Sequence, residues 1–121
     1  MILSIIIPTY NEQKTIIDVL KKINDNKPSV FKYEIIVIDD GSTDDSRKLL
    51  ENNKHLYNKL LCNETNRGKG FSVKKGLIES SGTHVIFQDA DFEYDPKEFK
   101  KFEKIFSLYL CLSSLLNIFL K

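Results

Sequence analysis

Two aspartates separated by one residue are the first candidates for chemistry in this sequence. Asp89 and Asp91 follow a short apolar run, with Ala90 between them and Glu93 two residues further on. If the chain turns here, the carboxylates can converge on a divalent cation. Carboxylate oxygens suit Mg²⁺ or Mn²⁺, which also bind phosphate oxygens, and Glu93 is placed to add a third oxygen. The competing interpretation is a solvated acidic turn before a helix.

A second acidic pair, Asp39 and Asp40, follows another apolar run. A carboxylate in this position can accept a hydrogen bond from a nucleobase N–H or a ribose hydroxyl. The alternative is that one of these aspartates only satisfies backbone donors ahead of the next helix. Gly41 suits a tight turn under either interpretation.

A basic loop with glycines covers residues 66–70, and its charged side chains are Arg67 and Lys69. Backbone amides at the start of a helix, together with Lys or Arg, attract phosphate. The loop lacks the spacing of a Walker A motif, and a plain surface loop is the alternative. His55 and His84 have no metal-ligand spacing and are interpreted as structural or exposed.

The hydrophobic pattern places these residues in an alternating series of strands and helices. Short β-branched apolar runs predict buried strands, and apolar residues three and four apart predict helices. The predicted strands cover residues 2–7, 33–38, 56–62 and 85–87, and the predicted helices cover residues 12–24, 42–53 and 71–80, with a last helix beginning at Asp95 and Pro96.

Two of the predicted helices carry a specific expectation. Ser42 and Asp45 have the spacing of a capping box, which would start the second helix. In the third helix, Val73, Leu77 and Ile78 lie on one side, and this apolar side is expected to face the core.

Buried strands separated by helices predict an α/β fold with a mostly parallel sheet covered on both faces. Such sheets bind ligands beyond the carboxyl ends of their strands. The polar segments after the first, second and fourth predicted strands should therefore lie along one edge of the sheet.

The composition narrows the functional class. The chain has 121 residues, and its 18 Lys and Arg against 17 Asp and Glu give a net charge of +1, which removes the electrostatic argument for nucleic-acid binding. Hydrophobic and charged fractions of 41% and 29% are typical of one globular domain. Cys62 and Cys111 fit neither a disulfide framework nor a zinc spacing, and we expect free thiols in a reducing compartment.

No signal peptide is visible, because the apolar run at residues 1–7 is too short and lacks a basic start. The expected location is cytoplasmic, with peripheral contact at the cytoplasmic face of a membrane as a further option. Residues 105–120 form the most apolar stretch, but four polar residues interrupt it and it is shorter than a membrane span.

Four segments in this order and spacing resemble the family 2 glycosyltransferases, which have the GT-A fold. The segments are IIIPTYNE at residues 5–12, IVIDDGSTD at 36–44, NRGKG at 66–70 and QDADFEYDP at 88–96. Within that family the chain looks most like dolichol-phosphate mannose and polyprenyl-phosphate glucose synthases. The resemblance implies a three-layer, Rossmann-like sheet, with residues 1–104 as the nucleotide-sugar-binding half and residues 105–121 as an apolar C-terminal helix or tail.

The resemblance also implies a pocket for the nucleoside of a nucleotide-diphosphate sugar such as GDP-mannose or UDP-glucose. Pro8, Tyr10 and Glu12 would line this pocket. Ile38 and Asp40 would contact the base and the ribose.

On the diphosphate side, the resemblance assigns Asp89 and Ala90 to the nucleotide sugar and Asp91 to the metal, with Asp89 and Asp91 as catalytic residues. Glu93 would stand near the metal, although relatives often have Gln there, and Lys69 would lie in the same region. A cation held by the aspartates would stabilise the charge on the leaving nucleoside diphosphate. We expect inverting transfer of a hexose to an acceptor, with a polyprenyl or dolichyl phosphate as the expected acceptor.

Beyond residue 102 the sequence departs from the resemblance, and three interpretations of residues 105–120 stay open. They are the end of a truncated product, an apolar helix that covers the sheet or mediates self-association, and an interfacial membrane helix next to Lys97, Lys100, Lys101 and Lys104. We expect weak or absent transfer by this chain alone, with nucleotide and Mn²⁺ binding retained. The alternative function is a non-catalytic nucleotide-binding fragment or partner subunit.

Overall fold

A computed structural model describes residues 2–27, 29, 31–91, 98, 101 and 104 of the chain. Strands and helices alternate along these residues, as the hydrophobic pattern predicts. The elements are β1 (Ile2–Thr9), α1 (Ile16–Asn26), β2 (Lys32–Asp39), α2 (Ser46–Glu51), a 3-10 turn (Lys54–Leu56), β3 (Lys59–Cys62), α3 (Lys69–Glu79) and β4 (His84–Phe87).

The four strands form one parallel sheet in the order β3-β2-β1-β4. Ile6 in β1 is paired with Ile36 in β2 and with Phe87 in β4, which sets the register of the central strands. The parallel α/β sheet predicted from the sequence is confirmed. Because every strand runs in the same direction, the segments after β1, β2 and β4 all leave the same edge.

One face of the sheet packs against α1. The apolar side chains of this helix recur three and four residues apart and lie against the alternate side chains of β1 and β2 that point to this face. The buried cluster is Ile5, Ile7, Ile16, Val19, Leu20, Ile23, Ile35, Val37, Leu50, Leu56 and Ala90. Because Ala90 belongs to this cluster, the acidic segment that contains Asp89 and Asp91 is held against the core.

The opposite face packs against α3, and here the predicted orientation of the helix is wrong. Ser72 and Gly76 are the buried residues of α3, whereas Leu77 and Ile78 are 41% and 73% exposed. A Cβ atom at Gly76 would lie 2.6 Å from Cγ2 of Ile6, so the helix backbone sits close to the sheet. The small side chains of this face allow the close approach. Helix prediction from large apolar residues does not identify such a face.

The boundaries of α2 and β3 also differ from the prediction. The predicted capping box is wrong, because α2 begins at Ser46. The Ser42 hydroxyl instead accepts a hydrogen bond from the backbone amide of Asn11. The third strand begins at Lys59 rather than at the predicted residue 56, which is the last residue of a 3-10 turn. Cys62 is a free thiol, as expected.

Several sequence predictions fall outside the described residues. They concern the helix predicted to begin at Asp95, the apolar stretch at residues 105–120, and Cys111. Within the part of the chain that the structure describes, no helix combines the length and apolar character that a membrane crossing requires.

A buried carboxylate fixes the connection between α3 and β4. Glu34 accepts hydrogen bonds from the Ser4 hydroxyl at 2.8 Å, the Ser81 amide at 2.9 Å and the Lys59 ammonium, which lies 3.1 Å away. Burial raises the pKa of Glu34, but the hydrogen bonds lower it by a larger amount. The net result is a pKa of about 2. This ionised carboxylate joins β1, β2 and the segment that leads into β4, and so helps to set where β4 and the acidic residues after it lie.

Candidate functional site

The segments that follow β1, β2 and β4 meet at the carboxyl edge of the sheet and enclose a cleft of about 290 Å³. The N-terminal residues of α3 and the loop before it form the remaining wall. The lining residues are Pro8, Thr9, Tyr10, Glu12, Asp40, Asn66, Gly68, Lys69, Asp89, Ala90 and Asp91. This is the edge that the rule for parallel sheets indicates.

Eight of the ten residues that the resemblance assigns to the site lie in this one cleft. Ile38 does not, because it is fully buried on the α3 face, where a Cβ atom at Gly76 would lie 2.9 Å from its Cδ1. Glu93 lies outside the described residues. Asp40 and Asp91, which come from different strand ends, share the cleft, as a common ligand site requires.

The Asp40 carboxylate holds the basic loop in place. One oxygen accepts hydrogen bonds from the Arg67 backbone amide and the Asn63 side-chain amide, both at 2.8 Å. The other accepts a hydrogen bond from the Gly68 backbone amide at 2.9 Å. Both carboxylate oxygens therefore bind the loop that precedes α3. Of the two sequence interpretations of Asp40, the structure shows the one in which it satisfies backbone donors, and Asp40 also lines the cleft.

The pKa of Asp40 reflects this hydrogen bonding. Burial raises the pKa, but the hydrogen bonds from Asn63, Arg67, Gly68 and Ser72 outweigh burial and hold it below the ordinary value. The ionised carboxylate is thus the form that fits these donors. Protonation would remove an acceptor from one of the backbone amides.

The neighbouring Asp39 has a different role. It is fully buried, and its carboxylate accepts a hydrogen bond from Nε of Arg47 at 2.8 Å. The same guanidinium donates to the Asn63 backbone carbonyl at 2.9 Å. Asp39 therefore joins β2, α2 and the segment after β3, and it is not among the cleft-lining residues.

Only one of the two basic side chains of the loop faces the cleft. Lys69 lines the cleft and forms an ion pair with Asp89, whose side chain is 21% exposed. The Arg67 guanidinium instead lies over the Phe71 ring, 4.4 Å from its centre. The Lys69–Asp89 pair joins the basic loop to the end of β4 across the site.

Asp89 and Asp91 are suitable donors for a divalent cation that also binds a phosphate ligand. Both line the cleft, and Mg²⁺ is commonly held by one or two carboxylates together with water and substrate phosphates. Among the described residues, no group of three or more His, Cys, Asp or Glu side chains could form a complete metal site. Glu93, the third ligand expected from the sequence, lies outside the described residues.

Asn11 positions the loop between β1 and α1, which carries Tyr10 and Glu12. Its side-chain oxygen accepts hydrogen bonds from the backbone amides of Thr43, at 2.8 Å, and Asp44, at 3.2 Å. Its φ angle is 51°, a left-handed conformation that Asn adopts more readily than most residues. This residue joins the loops after β1 and β2 and so fixes one wall of the cleft.

Two substitutions of Asn11 should separate the contribution of its hydrogen bonds from that of its φ angle. Asn11→Gly keeps the backbone conformation but removes the hydrogen bonds, and we expect it to lower the free energy of unfolding by about 1–2 kcal/mol. Asn11→Ala should be less stable than the glycine variant by about 1 kcal/mol, because alanine disfavours positive φ. Urea unfolding of both variants measures this difference, and equal stabilities would contradict the role assigned to the φ angle.

Sequence reasoning missed some residues that build the site. Asn63 donates to the Asp40 carboxylate, and the Thr15 hydroxyl donates to the Ala90 carbonyl at 2.8 Å, which ties α1 to the acidic segment. Neither residue belongs to a recognisable motif, and their partners are distant in sequence. Thr9 and Asn66 also line the cleft, and they lie inside motifs that the sequence did indicate.

Comparison with known proteins gives consistent matches. A model of the glycosyl transferase family 2 matches residues 4–107. A dolichyl-phosphate beta-glucosyltransferase from Dictyostelium discoideum is 40% identical over 113 residues, which cover 85% of this chain and 35% of that protein. The chain thus spans about a third of the length of this relative.

Two solved structures extend the similarity to the fold. S. aureus TarS 1-349 in complex with UDP-GlcNAc has a TM-score of 0.74 and 32% identity, covering 88% of this chain and 31% of that one. The mannosyltransferase PcManGT from Pyrobaculum calidifontis, in complex with GDP-Man and Mn²⁺, has a TM-score of 0.63 and 32% identity, covering 74% of this chain and 27% of that one. Each structure therefore shares its fold with most of this chain.

Proposed function

This chain belongs to the family 2 glycosyltransferases, and from that premise we propose that its cleft binds the nucleoside diphosphate part of a nucleotide sugar together with a divalent cation. The observation that carries the proposal is the convergence of the segments after β1, β2 and β4, with the basic loop, on one cleft. Support comes also from the similar structures that hold UDP-GlcNAc or GDP-Man.

Different lining residues of the cleft suit different parts of this ligand. Pro8, Tyr10 and Asp40 offer an apolar ring, an aromatic ring and a carboxylate, which suit a nucleoside. Lys69 suits the diphosphate, because its ammonium group lines the cleft and favours anions, whereas the Arg67 and Gly68 amides before α3 already donate to Asp40.

Asp89 and Asp91 would hold Mg²⁺ or Mn²⁺ beside the diphosphate. When bound, the cation would supply positive charge to the oxygens of the departing nucleoside diphosphate. Lys69 adds cationic charge within the same cleft, and Thr15 and the core packing of Ala90 keep the acidic segment in position. A site fixed in this way can favour the charge of the transition state over that of the ground state.

The proposed reaction is inverting transfer of a hexose to an acceptor, and the proposed acceptor is a polyprenyl or dolichyl phosphate at a membrane surface. The similarity to the dolichyl-phosphate beta-glucosyltransferase from Dictyostelium discoideum supports a dolichyl phosphate acceptor. A phosphate oxygen is already ionised at neutral pH, so attack on the sugar would need little help from a general base. GDP-mannose and UDP-glucose are the candidate donors.

A thermal-stability panel tests the proposal. We expect UDP or GDP to raise the unfolding midpoint by several degrees when Mn²⁺ is present, since a ligand at about 100 times its Kd stabilises by about 2.7 kcal/mol. The same nucleotides with EDTA should give a much smaller shift. The proposal fails if neither nucleotide changes the midpoint with Mn²⁺.

A transfer assay then addresses the acceptor. The chain is incubated with UDP-glucose or GDP-mannose, Mn²⁺ and a polyprenyl phosphate, and the lipid product is measured. Product would support transfer by this chain. Nucleotide binding without product would support the alternative of a nucleotide-binding fragment or partner subunit.

A further inference from the structure

Lys69 and Asp89 form an ion pair at the position where the proposed cation would bind. Lys69 is the first residue of α3, and its side chain is 66% exposed, so its ammonium can move without disturbing the core. Asp89 is more buried, at 21%, and lies on the segment after β4. The lysine is therefore the more exposed partner of the pair.

A divalent cation and an ammonium group compete for one carboxylate. The cation carries twice the charge of the ammonium, and the two positive groups repel each other when both contact Asp89. A diphosphate that arrives with the cation offers new acceptor oxygens close to Lys69, which lines the same cleft.

We propose that Lys69 is an exchange residue: it neutralises Asp89 before ligands bind, and it transfers its ammonium to the diphosphate when cation and nucleotide bind together. This inference rests on the proposed function. Lys69 then opposes binding of the cation alone and favours binding of the cation with nucleotide. By thermodynamic linkage, it increases the coupling between the two ligands in both directions.

The test is Lys69→Met, which removes the charge while keeping much of the apolar stem. Mn²⁺ binding without nucleotide is measured by the electron paramagnetic resonance signal of free Mn²⁺, at millimolar metal. Binding of UDP and of GDP at saturating Mn²⁺ is measured by calorimetry. Lys69→Arg retains the charge, and Lys74→Met is the matched control, because Lys74 is exposed on α3 and lies outside the cleft.

We expect Lys69→Met to change the two affinities in opposite directions. Mn²⁺ alone should bind roughly fivefold more tightly, and the nucleotide with Mn²⁺ should bind roughly fivefold to tenfold more weakly. Lys69→Arg should retain most of the wild-type coupling, and Lys74→Met should match the wild type in both measurements.

Other outcomes overturn the inference. If Lys69→Met leaves Mn²⁺ affinity unchanged or weakens it, Lys69 does not compete with the cation. If both affinities fall together and the unfolding midpoint falls too, Lys69 has a structural role only. Failure of the proposed function is distinguishable, because the wild type itself would then bind neither nucleotide in the presence of Mn²⁺.

Discussion

Replacing Asp89 and Asp91 together by asparagine should abolish the Mn²⁺ dependence of nucleotide binding. The two carboxylates are the acidic groups at the end of β4 that line the cleft, and neutral amide oxygens bind a divalent cation far more weakly. Changes in groups that only support a metal ligand already cost about 10- to 100-fold in affinity, so loss of two ligands should cost at least about 100-fold. Calorimetry with UDP and GDP, with Mn²⁺ and with EDTA, measures the effect.

The control for this variant carries the same change in charge at exposed positions. Asp18→Asn with Asp25→Asn removes two carboxylates from α1, away from the cleft. It should bind nucleotide and Mn²⁺ as the wild type does. If the double variant in the cleft keeps metal-dependent binding, Asp89 and Asp91 are not the metal ligands.

Asp40→Asn should cost both stability and nucleotide affinity. An asparagine has one acceptor oxygen, so it cannot receive the amides of both Arg67 and Gly68 in the arrangement that the carboxylate allows. We expect the free energy of unfolding at pH 7 to fall by about 2–3 kcal/mol, as for loss of hydrogen bonds to a charged group. Nucleotide affinity should fall by about tenfold, because the basic loop loses its fixed position.

The pH dependence of this effect has a defined sign. The pKa of Asp40 is lowered in the folded protein, so its carboxylate stabilises the fold fully above the unfolded pKa of about 3.9. That stabilisation is lost as the pH falls from there through the folded-state pKa. The difference in stability between wild type and Asp40→Asn should therefore be constant near neutral pH and shrink below about pH 4.

Urea unfolding at several pH values checks this prediction. Asp45→Asn is the matched control, since Asp45 is exposed and makes no side-chain capping bond at the start of α2. A stability difference for Asp40→Asn that does not change between pH 7 and acidic pH would show that ionisation of Asp40 is not what holds the loop.

Much of the fold could be predicted because its signals are local. Runs of Ile and Val mark β1 and β2, and the polar segments that follow them share an edge because the strands are parallel. The same reasoning brought residues from β1, β2 and β4 to one cleft. No contact between distant residues had to be known for this step.

The features that sequence reasoning missed depend on contacts between distant segments. The buried face of α3 consists of Ser72 and Gly76, and it is decided by close packing on β1 rather than by large apolar residues. The division between Asp39 and Asp40 is decided by Arg47 and by the basic loop. Adjacent aspartates look alike in sequence, and only their partners separate a structural ion pair from a cleft residue.

Amide chemical shifts of the isotopically labelled chain, titrated with UDP or GDP and Mg²⁺, would locate the ligand site. We predict that the largest changes occur at Tyr10, Asp40, Gly68 and Asp91, which surround the cleft. The amides near Glu34, which is distant from the carboxyl ends of the strands, should change little. Changes centred on Glu34, or no changes with either nucleotide, would contradict a nucleotide and metal site at the carboxyl edge of the sheet.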